Sequence, residues 1–201
     1  MIDAVILDLG NVLVFHDNEK LFREVAPLFG TTALGLKEKL EGTGVWERAN
    51  RGRLAGPALC RELAATLGVA PPSAADFTRA WTSHFTLNEP MIRLAESLVG
   101  KVKLVLLSNT HDLHVDYLVP QLPVLQRFEG LVLSCEVGLI KPEAEIYAKA
   151  LAVAGVRPEA AVFFDDVEAY VEGARRAGLH AHVFRSAAEV PGQLAALGLE
   201  G

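Results

Sequence analysis

Five short apolar runs punctuate the chain: Ala4-Val5-Ile6-Leu7 near its start, then Lys103-Leu104-Val105-Leu106-Leu107, Leu131-Val132-Leu133, Ala161-Val162-Phe163-Phe164 and Ala181-His182-Val183-Phe184. Runs this short and this uniformly hydrophobic fit strands buried on both faces, as in a parallel sheet. Between most of the later runs lie stretches with helical spacing that stop at glycine, such as Glu143 to Ala154 before Gly155 and Glu168 to Ala177 before Gly178. Alternating strand and helix predicts an α/β fold, a Rossmann-like parallel sheet with helices on both faces.

The alternation breaks after the first run, because residues 8–102 hold almost no β-branched run. Helical stretches replace it. They are Glu19 to Phe29 after Asn18 and before Gly30, Leu34 to Leu40, Ala58 to Leu67 after Pro57 and before Gly68, and Ala74 to Phe85 after Ser73. Ser73 and Asp76 form a weak capping box. Pro90 opens a further helix through Leu98, ended by Gly100. The pattern predicts a helical insertion over residues 16–88, placed on a core assembled from residues 1–15 and 89–201.

At 201 residues, 51% hydrophobic and 22% charged, the chain is long enough to bury a core and far from the composition of disorder. Its formal charge of -6 argues against nucleic acid or an anionic membrane as the main partner. An anionic small molecule would therefore need local positive charge, a metal or backbone amides. With Cys60 and Cys135 as the two cysteines, a secreted disulfide scaffold is disfavoured and a cytoplasmic location is expected. Met1 to Asp8 lacks a basic leader and reads as a strand, and no apolar run nears the roughly eighteen residues of a membrane span. The expectation is a soluble monomer or weak homodimer.

In an open parallel sheet, ligands sit beyond the carboxyl ends of the strands. The residues just past the apolar runs are Asp8, Ser108-Asn109-Thr110, Ser134 with Glu136, and Asp165-Asp166. Carboxylates gathered from distant strands repel one another and point to a cation, with oxygen ligands favouring Mg²⁺.

Taken in order, these elements resemble the haloacid dehalogenase (HAD) superfamily along the whole chain. Ala4 to Leu13, with Asp8-Leu9-Gly10-Asn11, is similar to its nucleophile motif. Val105 to Thr110 is similar to its phosphate-binding strand end. Ser134 to Glu143, with Gly138, Lys141 and Pro142, resembles its lysine motif. Val162 to Asp166 resembles its metal motif. The insertion resembles the small helical cap of that superfamily.

The resemblance implies a Mg²⁺-dependent phosphatase in which Asp8 is the nucleophile and forms an aspartyl-phosphate. It implies a metal held by Asp8, the Gly10 carbonyl and Asp166, with Asp165 ligating directly or through water. Lys141 would oppose the phosphate charge, and Ser108 with the Asn109 and Thr110 amides would bind phosphate oxygens. The chain departs from the pattern at Gly10, where most phosphatases of the superfamily carry an acid-base aspartate and dehalogenases an aromatic residue. The Asp-Leu-Gly-Asn-Val variant, with His114 four residues after Thr110, resembles the sugar-1-phosphate phosphatase branch, whose leaving oxygen is acidic enough to need less proton donation.

His16, Asp17 and His111 are candidates to replace the missing acid-base group, or are polar loop residues. Tyr170 stands where relatives have Asn and is either a helix residue packed on the core or a site residue that alters the outer shell of the metal. Trp46 and Arg48, with Arg51 and Arg53, either reach a substrate from the insertion or are a core tryptophan and solvated arginines. Phe77 and Trp81 read as the insertion's core. The remaining histidines show no metal-ligand spacing. Two rivals to the phosphatase stand: an impaired relative that binds a phosphometabolite or a protein, and a dehalogenase.

Overall fold

The computed structural model describes residues 1–199, so the last two residues of the expected core lie outside the described residues. The strands in chain order are β1 (Ala4–Leu7), β2 (Val14–His16), β3 (Phe85–Leu87), β4 (Lys103–Ser108), β5 (Gly130–Leu133), β6 (Ala161–Asp165) and β7 (His180–Val183). The helices are α1 (Asn18–Val25), α2 (Ala33–Gly42), α3 (Val45–Asn50), α4 (Gly56–Leu67), α5 (Ala74–Thr82), α6 (Glu89–Leu98), α7 (Asp112–Leu118), α8 (Ser134–Val137), α9 (Ala144–Ala154), α10 (Glu168–Arg176) and α11 (Val190–Ala196).

Five strands make one parallel sheet in the order β5-β4-β1-β6-β7. In β1, Val5 pairs with Leu104 on one side and Val162 on the other, and every residue of β1 and β6 is buried. Successive side chains point to opposite faces. Val5, Leu7, Leu104, Leu106, Val162 and Phe164 therefore pack with α6 and α11, while Ala4, Ile6, Val105, Leu107 and Phe163 pack with α9 and α10. This two-sided burial is the reason the five runs carry no polar alternation.

The chain leaves the sheet through β2 and returns through β3. The two pair antiparallel, Val14 with Leu87 and His16 with Phe85. At three residues each they are too short to show in the hydrophobic pattern, and residue 85, expected to end a helix, opens β3 instead. Helices α1 to α5 lie between them around their own apolar cluster, which includes Leu21, Phe29, Leu63, Phe77 and Trp81. Phe77 and Trp81 are fully buried with ring centroids 5.0 Å apart. Asp17, not Asn18, caps α1 by accepting from Lys20 N, and the helix gives way at Ala26 to a 3-10 turn carrying Pro27. The Ser73 hydroxyl accepts from Asp76 N as a capping box requires, although Asp76 returns its bond to the hydroxyl rather than to the backbone.

The insertion is seated on the core by close contacts. Gly52 has φ +68, and a Cβ there would stand 1.8 Å from the Cys135 carbonyl oxygen. Leu113, on the first turn of α7, belongs to the insertion's apolar cluster and lies against Gly56. Cys60 and Cys135 are both free thiols. Among the described residues no helix is long and apolar enough to cross a membrane.

Candidate functional site

The carboxyl ends of β1, β4 and β6 bring Asp8, Ser108 and Asp165 together. Asp8, Asp165 and Asp166 each place a carboxylate oxygen within 4.8 Å of the others. Lys141 enters from the loop between α8 and α9, after Gly138 (φ +73) and before a cis peptide to Pro142. Its ammonium is buried and donates to Asp8 Oδ1 at 2.8 Å, Asp165 Oδ2 at 2.5 Å and the Leu107 carbonyl at 3.2 Å. All three of its protons are thereby used.

The charges do not balance within the protein, since one ammonium faces three carboxylates. Burial pushes the Asp8 carboxyl up despite Lys141, and pushes Asp165 up to about 6 for the same reason. For Lys141, burial works against the charged form most strongly, yet Asp8 and Asp165 together outweigh it and hold the ammonium above its ordinary value. Excess negative charge in a buried oxygen-rich cluster suits a divalent cation with hard-ligand preference. The donor set therefore fits Mg²⁺.

The loop after β4 departs from expectation at Thr110 and adds a role for the Asn109 side chain. Asn109 exchanges two bonds with the Lys141 backbone, Nδ2 to the carbonyl at 3.0 Å and Oδ1 from the amide at 2.8 Å, so its side chain fixes the lysine loop. The Thr110 amide, expected to face phosphate, donates instead to Ser134 Oγ at 2.8 Å, which in turn donates to the Asn50 carbonyl of the insertion at 2.6 Å. That amide is unavailable to a phosphate oxygen. Ser108 is buried and lines the cavity as expected.

Above the acids lies a cavity of about 270 Å³, lined by Asp8, Gly10, Ser108, Asn109, Thr110, Lys141 and Asp166 on the core side. The insertion and its hinge contribute His16, Asn18, Trp46, Asn50 and His84, and α7 and α10 contribute His114 and Tyr170. Asn11, with φ 54, donates through Nδ2 to Asp166 Oδ2 at 2.8 Å and bonds His16 Nε2 at 3.1 Å. A Cβ built on Gly10 would meet His16 Cδ2 at 3.3 Å, His16 Nε2 at 3.5 Å and Asp8 Oδ2 at 3.9 Å. The His16 ring fills the space that a side chain at position 10 would take.

Several candidates fall elsewhere. Asp17 is exposed and caps α1 outside the cavity lining. Arg48 pairs with Glu62 within the insertion, and Arg51 with Glu47 and Glu143, so neither guanidinium is left for a substrate. Arg51 also donates to the Gly138 carbonyl, and Glu143 Oε2 accepts from Ile140 N, which ties the insertion to the lysine loop. His111 is 1% exposed, accepts from Trp81 Nε1 at 3.0 Å, and does not line the cavity. Tyr170 is not a core residue, because its ring lies 5.1 Å from Lys141 Nζ at the cavity wall. Trp46 packs on Trp81 and also lines the cavity. His84, Asn18 and Asn50 had no signal in the sequence, since the insertion's folding back is what brings them to the acids.

A family profile described as haloacid dehalogenase-like hydrolase matches residues 2–178. A HAD family enzyme of Bacteroides thetaiotaomicron, crystallised with magnesium and inorganic phosphate, superposes with a TM-score of 0.83 at 25% identity, covering 92% of this chain and 96% of that one. A predicted HAD-like hydrolase of Porphyromonas gingivalis gives 0.86 at 24% identity over 100% of both chains. The bifunctional epoxide hydrolase 2 of Rattus norvegicus is 32% identical over 108 residues, 51% of this chain but 19% of the rat protein's length.

Proposed function

Because the chain belongs to the haloacid dehalogenase-like hydrolases, we propose that it is a phosphomonoesterase that releases phosphate from a small phosphorylated metabolite, a sugar phosphate such as a hexose 1-phosphate. The observation that carries this reading is the Lys141 ammonium held between Asp8 and Asp165 at the floor of the cavity between core and insertion. Two carboxylate-phosphate charges 4 Å apart repel by about 4 kcal/mol at an effective dielectric near 20. Lys141 offsets that repulsion and aims the Asp8 carboxylate.

Mg²⁺, held by Asp8, Asp166 and the Gly10 carbonyl with Asp165 beside them, would neutralise the phosphate oxygens as negative charge builds. Asp8 attacks phosphorus, the bond to the leaving oxygen breaks, and that oxygen takes a proton. Water then attacks the aspartyl-phosphate and gives up a proton, releasing orthophosphate and restoring Asp8. The His16 ring, beside Gly10 and bonded by Asn11, would give its proton to the leaving oxygen and recover one from the attacking water. Asn11 also holds Asp166, so one amide aligns both groups. Helices α1 to α5, within residues 16–88, act as a cap over the core of residues 1–15 and 89–201, and limit access to small substrates.

The test is phosphate release by the purified protein with Mg²⁺ over a panel of sugar phosphates, alongside Asp8→Asn. Metal-dependent release that Asp8→Asn abolishes supports the reading. No release across the panel rejects it.

A further inference from the structure

The charges in the cavity wall are unevenly distributed. Among the described residues that line it, Lys141 is the one lysine or arginine, and its three protons go to Asp8, Asp165 and the Leu107 carbonyl. Three insertion cations are engaged elsewhere, and Arg53 does not line the cavity. Lys20 Nζ donates to the Ser83 carbonyl at 2.6 Å, Arg48 pairs with Glu62, and Arg51 is held by Glu47 and Glu143.

The cavity wall away from the acids and Lys141 includes Asn18, Asn50, Trp46, His84, His114 and Tyr170. Burial lowers the His84 ring to about 4 and His114 well below the ordinary imidazole value, so both are uncharged near neutral pH. Amides, neutral imidazoles, an indole and a phenol offer donors and acceptors that match hydroxyl groups. They offer no countercharge to a second anion, which would share about 270 Å³ with Asp8 and Asp166.

We propose that this site selects phosphomonoesters whose leaving group is uncharged and hydroxylated, and that it turns away esters bearing a second phosphate or a carboxylate. The selectivity rests on the phosphomonoesterase reading for its chemistry and on the neutral wall for its direction. Asn18, exposed at the first turn of α1, marks the place where a single cation would relax it.

The experiment compares kcat/KM, with Mg²⁺ present, for a hexose monophosphate and glycerol phosphate against a hexose bisphosphate and phosphoglycerate. The neutral leaving groups are expected to be favoured about 100-fold or more. Asn18→Lys is expected to move the ratio of bisphosphate to monophosphate by about tenfold toward the bisphosphate. Comparable turnover of the four esters, or a ratio that Asn18→Lys leaves unmoved, overturns the proposal. Calorimetric titration of Asp8→Asn with the same four esters needs no turnover. Selective binding there without release by the native protein rejects the phosphatase reading alone, whereas equal affinities overturn the selectivity.

Discussion

His16 occupies the room left by Gly10, its Cδ2 lying 3.3 Å from where a Cβ on that glycine would be. The two positions are therefore alternatives in space, and substitutions at them should not add.

His16→Ala is expected to lower kcat on a sugar phosphate by about 10²-fold or more and to remove one limb of the pH-rate profile. Gly10→Asp alone crowds the ring and should also be slow, while the double variant Gly10→Asp with His16→Ala should recover part of the loss. An unchanged kcat and profile in His16→Ala would rule out its role.

Lys141→Met leaves Asp8 and Asp165 facing each other without an ammonium. Activity should vanish, and stability should fall by about 3–5 kcal/mol, as when one partner of a buried ion pair is removed. Mg²⁺ should raise Tm in the native protein, and that rise should disappear in Asp166→Asn. A native Tm that does not respond to Mg²⁺ would contradict the assignment of the three acids.

Gly52→Ala would force a methyl into the Cys135 carbonyl at a residue whose φ is +68. The insertion has to shift, at a cost of about 1–3 kcal/mol read as a lower urea midpoint. Gly44, also in the left-handed region but with nothing within 4 Å of a built Cβ, should tolerate alanine better. Equal losses at the two sites would mean that backbone strain alone, and not the contact with Cys135, is responsible.

Acid should weaken the fold through its buried histidines. His84 and His111 are lowered by burial from 6.5 to about 4, so below pH 6.5 the unfolded chain takes up protons that the folded chain refuses. Their full contribution is present above pH 6.5 and is lost as pH falls toward 4, on the order of 3 kcal/mol for each ring. Asp165, raised to about 6, runs the other way, because its folded form binds a proton before the unfolded chain does. Asp8 is raised by burial as well, so the three lowered rings, His84, His111 and His114, stand against two raised carboxyls and outnumber them. Urea midpoints measured with Mg²⁺ should fall between pH 7.5 and pH 5, and a flat or rising midpoint would refute the balance.

The sheet was legible because β1, β4 and β6 are buried on both faces, which forces unbroken apolar runs that end in Asp8, Ser108 and Asp165. The acids and Lys141 were legible for the same reason, since strand ends converge in a parallel sheet. The cavity wall was not. Its composition depends on how α1, α3 and β3 fold back over the strands, and nothing local marks Asn18, Asn50 or His84 as neighbours of Asp8. The sequence left the arginines open between substrate and solvent, because Glu62 and Glu143, the partners that hold Arg48 and Arg51, are distant in sequence. Short pieces such as β2, β3 and α3 escaped because three to six residues carry too little periodicity to stand out.

Glu143 grips Arg51 of the insertion and the Ile140 amide beside Lys141, while Ser134 bridges the Thr110 amide and the Asn50 carbonyl. A foreign helical module grafted between β2 and β3 would thus have to bring its own guanidinium and its own carbonyl acceptor. Without both, the transplant would fold as a lid yet leave the ammonium below it out of register.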